Sequence, residues 1–513
     1  MTISTTFESA TLSAETIRQK IQGCWLGKAV GGTLGQTFEG LSGPLEADFY
    51  YPVPTEMVPN DDLDLQVVFA CVLAALETPI VDRHVLADAW RRHVDFPWNE
   101  YGVAMRNQAE GIHPPHTGSF DNWFTCGEGA AIRSEIWACL APGNPDLAAA
   151  YAYEDACFDH EGDGIYAAQF LARLQSAAFV ESDPQTLIDI ALAGIPADSG
   201  IAAVVADTRR WVAEATDWRD VQALIMEKYG RQDFTDVRPN TGFVILGWLM
   251  GADFSERICI TNNSGQDCDS STASIGALLG ILDPGSIGQE WLAPIGDELV
   301  LNEEIRGLEH PATIAGFTDL VVDLGRRLSG EAPNAEEYPF DPSAHRIPVG
   351  IGHFNTTQGR WDIRDQSELP PVGSPAPAVE TAPSSLPGTV VSMPRESFHD
   401  RLMLLTFAAN SRGRSAVRLM FNCTEDYRIW LDGEFLHGAQ GSALFFPAPH
   451  MAPVGQFVDF SMAEGEHALT IAIKRPPLER AAADWVLGLV EMPSALWIEH
   501  AFRPSPLAPE STF

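Results

Sequence analysis

Apolar residues recur every three to four positions through the first two thirds of the chain, the signature of helices that bury one face. Ile17, Ile21 and Trp25 open the series. Leu65, Val68, Phe69, Val72, Leu73 and Leu76 follow, then Leu86, Ala89, Trp90 and Val94. The same period predicts helices over 127–140, 145–158, 163–181, 185–194, 197–215, 218–230, 240–253, 255–260, 271–282 and 312–329. Ser13, Asp146, and Ser182 or Asp183 stand where N-caps are expected. Residues 12–330 therefore read as one large all-α domain. Residues 98–126 read as turns that form a pocket wall, where His93, His113, His116, Trp98, Trp123, Asn99 and Glu100 are lining or packing candidates.

The pattern then changes period. Residues 331–388 are rich in Pro, Ala, Ser and Glu and read as a linker or irregular cover, with a possible strand in 345–363. From 389 to 513 short apolar stretches alternate with turn signals: 402–407, 417–421, 427–431, 456–460, 468–474 and 495–498. Asp432-Gly433 is a hairpin signal. This part predicts an all-β sandwich, and a mainly α protein overall.

Composition narrows the class. The 513 residues include 32 basic and 70 acidic side chains, a net charge of −38. Nucleic-acid binding depends on Lys and Arg neutralising phosphates, so nucleic acid is not the expected partner, nor is an anionic membrane surface. No stretch reads as a membrane span and the start does not read as a secretory signal. The eight cysteines form no CxxC pair and fall mostly within apolar helical patterns. They are expected to be free thiols in the cytoplasm.

Chemistry concentrates in two acidic clusters about two hundred residues apart: Pro59-Asn60-Asp61-Asp62-Leu63-Asp64 and Gly265-Gln266-Asp267-Cys268-Asp269-Ser270-Ser271. Each precedes an apolar helical run. Carboxylates at a helix start also serve as caps and favour the helix dipole, so either cluster alone has a structural reading. Together they offer the several oxygen ligands that a hard divalent cation requires. Asn263 stands just upstream of the second cluster and suits a loop-holding or sugar-binding role. In the sequence, no Arg or Lys lies near either cluster, which disfavours phosphate chemistry.

Five segments in order resemble the ADP-ribosylglycohydrolase family: IRQKIQGCWLGKAVGGTLGQTFEG at 17–40, NDDLD at 60–64, CGEGAAIR at 126–133, DACFDHEGDGIYAAQF at 155–170 and NNSGQDCDSSTASIGALLGIL at 262–282. The resemblance implies an all-α domain with one or two Mg²⁺ ions (Mn²⁺ as an alternative) held by Asn60, Asp61, Asp62, Asp267, Asp269 and Ser270. It places Glu39 in a mobile segment over the site, Thr125, Gly127, Glu128 and Gly129 in the loop that approaches substrate phosphates, and His160 near the substrate. Where the family has Thr, Thr, Asp, Asn and Thr, this chain has Asn60, Leu63, Gly32, Glu128 and Cys268. Glu128 disfavours a diphosphate and points also to less charged glycosyl compounds.

The implied activity is hydrolysis of a ribosyl or ADP-ribosyl bond, with Glu39, Asp62 and Asp267 as catalytic residues and a small glycosyl compound or an ADP-ribosylated molecule as substrate. The β domain resembles galactose-binding-like sandwiches through YRIWLDGEF at 427–435 and EGEHAL at 464–469. It leaves open a role in carbohydrate binding or in a homo-oligomer, and a non-catalytic protein on this scaffold is the second reading.

Overall fold

The computed structural model describes residues 12–353, 369–377, 379–399, 401–411, 415–444, 448–450, 457–498 and 501–502. Residues 1–11, and 354–363 of the possible strand, lie outside them. The described residues form two compact units. One comprises residues up to Asp95, Pro114–Ser119 and Phe124–Glu337; the other comprises Phe96–His113, Phe120–Trp123 and the chain from Tyr338 onward.

The first unit is helical. Its opening helix, Ala14–Gly35, begins where Ser13 accepts a hydrogen bond from the Thr16 amide, as its position predicts. The two acidic clusters start the helices Asp61–Ala75 and Cys268–Leu282, termed below the first and second acidic helices. Asp183 caps its helix, whereas Asn144, not Asp146, caps the helix Pro145–Ala156. The helices Asn99–Ala109 and Gln289–Ile295 were not visible as apolar periods. The former has no side-chain N-cap and carries Gly102 in mid-helix. It is held within the second unit, where Arg106 stacks over Trp497 at 5.0 Å.

The opening helix and the second acidic helix run antiparallel along a glycine seam. A Cβ added at Gly23, Gly27 or Gly31 would overlap the carbonyl oxygen of Gly280, Gly276 or Thr272, and one at Gly35 would overlap the backbone of Asp269. Only glycine allows two backbones this close. The seam brings the C-terminal end of the opening helix, and Glu39 just beyond it, against the start of the second acidic helix.

The second unit holds ten strands: β1 (Ile347–His353), β2 (Ala382–Leu386), β3 (Val390–Pro394), β4 (Leu402–Ser411), β5 (Ser415–Cys423), β6 (Tyr427–Leu431), β7 (Glu434–Ala439), β8 (Phe457–Met462), β9 (Gly465–Lys474) and β10 (Ala482–Met492). They form two antiparallel sheets, in the orders β2-β1-β4-β9-β6-β7 and β3-β10-β5-β8. Leu405, Phe407, Ile429 and Ile471 of one sheet and Val417, Leu419, Trp485 and Leu487 of the other share one core. The outer face of the larger sheet is also covered: Leu402, Leu404, Trp430 and Ala472 pack with Leu369. That is why residues 402–405 read as a continuous apolar run. Asp432 and Gly433 both have positive φ, 50° and 86°, as a tight hairpin between β6 and β7 requires. The last strand is β10 rather than 495–498; its contiguous apolar run, broken by Gly488, lacks alternation. Residues around Trp497 instead make one isolated bridge back to Val490.

The seam yields a test. Gly27→Ala should destabilise the protein by about 1–3 kcal/mol through overpacking. Gly325→Ala lies in the helix Ile314–Arg327, where a Cβ meets nothing nearer than 3.8 Å, and should be neutral or stabilising by up to about 1 kcal/mol. Urea denaturation of both variants measures the difference; equal effects would remove the seam's special status.

Candidate active site

The site is built from three chain segments that converge at helix starts. At the first acidic helix, Asn60 is the N-cap: its Oδ1 accepts the Asp62 amide at 2.8 Å. Its amide nitrogen donates across to Asp269 Oδ2 at 3.2 Å, so Asn60 ties the two clusters together while it caps. Ser270 makes a second tie, donating to Asp62 Oδ1 at 3.5 Å. Asp64 points elsewhere, as helical geometry dictates. Its carboxylate accepts the backbone and side-chain amides of Asn302 at 2.9 and 2.7 Å.

At the second cluster, Gly265 and Gln266 turn the chain with φ of 85° and 68°. Asp267 stands at the N-cap position but makes no side-chain cap hydrogen bond, so its carboxylate is not spent on starting the helix. Its backbone amide is held by Asn240 Oδ1 at 3.3 Å. Cys268 points away from the cluster, its thiol donating to the carbonyls of Phe38 and Asn262. The segment carrying Glu39 is tied down here too: Gly40 N donates to Gln266 O at 2.9 Å, and Gln266 N to Leu41 O at 2.8 Å.

These ties gather five carboxylates. Ligand atoms of Glu39, Asp267 and Asp269 all lie within 4.8 Å of one another, as do those of Asp61, Asp62 and Asp269. Asp269 belongs to both triads. Asp62, Asp267 and Asp269 are buried, Asp61 is half-buried and Glu39 stands at the exposed rim. Asp62 Oδ2 and Asp269 Oδ1 are buried without a hydrogen-bond partner.

One cation faces this charge. Lys28, from the opening helix, lies 3.6 Å from Asp62 Oδ2 and 3.3 Å from Glu135 Oε2. Local sequence shows no basic residue beside either cluster; the fold supplies one from over thirty residues upstream. Its only sequence signal is a lone lysine among the small residues of LGKAVGG. Even so the carboxyls hold their protons unusually tightly. Burial, then Asp269 and Glu135, push Asp62 up to about 8 against the opposing pull of Lys28. Burial, then Asp269 and Asp62, push Glu39 up to about 8, partly screened at the rim. Burial, followed by neighbouring carboxylates, raises Asp61 and Asp267 strongly as well.

Glu128 is buried, and burial followed by the charges of Asp62 and Asp269 raises it well above the usual range. Its loop is pinned by Gly127 N to Phe124 O, by Val237 N to Cys126 O, and by Arg133 Nη1 to Gly129 O at 2.6 Å. Thr125 is half-buried in the same loop, and its carbonyl accepts the Glu161 amide. His160 sits in an adjoining, fully buried polar network: its Nδ1 pairs with Asp159 at 2.6 Å, and Arg133 binds Asp159 and Asp155. Burial opposes ionisation of Asp159, but Arg133 and His160 outweigh it and hold the carboxyl below its ordinary value. Asn263 holds a loop: its Nδ2 donates to Ala47 O and its Oδ1 accepts Ala47 N, both at 2.8 Å.

The donor set fits a hard divalent cation. It is all oxygen, held mostly at helix starts, strongly negative, and includes Asp269 Oδ1, which is buried without a hydrogen bond. No helix of the described residues is long and apolar enough to cross a membrane.

The ADP-ribosylglycohydrolase family model matches residues 13–322, and the chain belongs to that family. It is 27% identical over 305 residues to an uncharacterized protein of Archaeoglobus fulgidus, covering 56% of this chain and 95% of that one. A solved structure titled "ADP-ribosylglycohydrolase-related protein complex" matches with 20% identity and a TM-score of 0.44, covering 61% of this chain and 99% of that one. A β-glucosidase of Kluyveromyces marxianus in complex with glucose matches at a TM-score of 0.19 and 8% identity, covering 28% and 16% of the two chains, too slight a likeness to bear on function.

The raised carboxyls give a signed pH dependence. An acid with an ordinary value of ~3.9 when unfolded and a higher one when folded stabilises the fold at low pH and loses that contribution as pH rises toward the folded value. With Asp62 at about 8 and Asp64 at about 7, the unfolding midpoint in EDTA should fall between pH 5 and pH 8. Asp62→Asn should flatten that slope. A pH-independent midpoint for the wild type would contradict the shifts.

Proposed function

We propose that this protein is a divalent-cation-dependent glycosidase that hydrolyses a ribosyl or ADP-ribosyl bond. The observation that carries the reading is the pair of carboxylate triads sharing Asp269. Asp61, Asp62, Asp267 and Asp269, with Ser270 beside them, are the residues to hold Mg²⁺ or Mn²⁺; Asn60 offers its oxygen from the cap. Such an ion, when bound, acts as a Lewis acid and template for sugar hydroxyls and makes water a stronger nucleophile.

The chain's own groups divide the remaining work. Cleavage of a glycosidic bond passes through an oxocarbenium-like transition state, which a strongly negative site favours. Glu39, at the exposed rim beside the buried carboxylates, is the acid we assign to protonate the departing group. A carboxylate of the buried set takes the proton of the attacking water. The turn at Gly265 and Gln266 holds the Glu39 segment against Asp267 and Asp269, so acid and cation ligands keep their mutual geometry. The free thiols support a reducing, cytoplasmic setting.

Asp269→Asn should abolish both cation binding, measured by calorimetry with Mg²⁺ and Mn²⁺, and hydrolysis of ribosides and ADP-ribosylated substrates. Full wild-type activity in the presence of chelator would sink the reading. A folded wild type that binds neither ion would favour the non-catalytic alternative.

A further inference from the structure

We propose that Lys28 is a positioning residue for Asp62: it fixes the rotation of this carboxylate so that one oxygen is turned into the cation site. The inference rests on the reading of the acidic cluster as a cation site.

Lys28 is 1% exposed, and two buried carboxylates face its ammonium, Asp62 Oδ2 and Glu135 Oε2. Glu135 is itself immobilised. Gln66 donates to its Oε2 at 3.0 Å and Gln175 to its Oε1 at 3.1 Å, and Ser134 donates to Gln175 at 3.2 Å. Gln66 also grips the backbone around both carboxylates, donating to Asp62 O at 2.7 Å and accepting Ile136 N at 2.7 Å. Glu135, Gln66, Gln175 and Ser134 are all fully buried.

Through Lys28, this frame reaches a carboxylate of the proposed cation site. With Oδ2 of Asp62 turned to Lys28, Oδ1 is turned to the Ser270 hydroxyl and the second cluster. Groups behind a metal ligand set its orientation, and their loss weakens binding about 10–100-fold.

The rival role for Lys28 is bulk neutralisation of the cluster's charge. Removing Lys28 and Glu135 together separates the two, because the pair deletes one positive and one negative charge. Neutralisation alone predicts unchanged cation affinity for Lys28→Met/Glu135→Gln. Positioning predicts Mn²⁺ binding weaker by about 10–100-fold, measured by calorimetry and by paramagnetic resonance of the free ion. Circular dichroism must show the variant folded; if it does not fold, Lys28→Gln/Glu135→Gln keeps polar groups in the cavity and carries the same expectation. Affinity within threefold of wild type, or tighter, overturns the positioning role. Failure of the wild type itself to bind Mn²⁺ overturns the cation site and, with it, the role of Lys28.

Discussion

Between the opening helix and the second acidic helix there is room for backbone only. Gly23, Gly27, Gly31 and Gly35 face Gly280, Gly276, Thr272 and Asp269 in antiparallel register, and a single methyl group at any of the first three would collide with a carbonyl oxygen. Much of the helical unit's chemistry depends on this closeness. It sets the end of one helix against the start of the other, which fixes where Glu39 stands relative to Asp267 and Asp269. Gly32 extends the effect to the first acidic helix, since a Cβ there would lie 2.9 Å from the Asn60 amide nitrogen. Glycine is costly inside a helix, by roughly 0.5–1 kcal/mol each relative to alanine, so the seam trades helix propensity for proximity.

Proximity then creates an electrostatic problem that the fold only partly solves. Carboxylates from three segments share a buried volume with one lysine. Burying like charges together drives carboxyls to hold their protons, as Asp62 and Glu39 do. Carboxyls left in this state are poor stabilisers at neutral pH. The contrast with the neighbouring Arg133 network is instructive. There Asp155 and Asp159 are just as buried and one guanidinium braces both; Asp159 falls below its ordinary value, while burial still lifts Asp155 to about 6.

Helix periods and the later strand alternation were legible because each reports which face of a local element is buried, although β1 and β2 already lie before residue 389. Signals failed where burial was not one-sided. The helix Asn99–Ala109 draws its stability from the packing of Gly102 and Arg106 against Trp497 rather than from its own apolar stripe. Strand β10 is apolar on both faces, and so shows no alternation to read. The candidate site was legible as two acidic helix starts, but not as to which carboxylates were free for chemistry. Asn60 caps, whereas Asp267 at the equivalent position does not, and Asp64 is taken by Asn302. The Asp64 outcome depends on a partner 238 residues away.

By itself the sequence determined the two kinds of secondary structure, the acid-rich helix starts and the resemblance carried by five ordered segments, because each is a property of neighbouring residues. The tertiary structure alone decided that the glycines form a seam, that Gly40 and Leu41, next to Glu39, are bound to the turn at Gln266, and that Lys28 stands behind Asp62. The reason is physical: a carboxyl's charge state and freedom are set by what surrounds it within a few ångströms, and in a helical fold those surroundings come from distant parts of the chain.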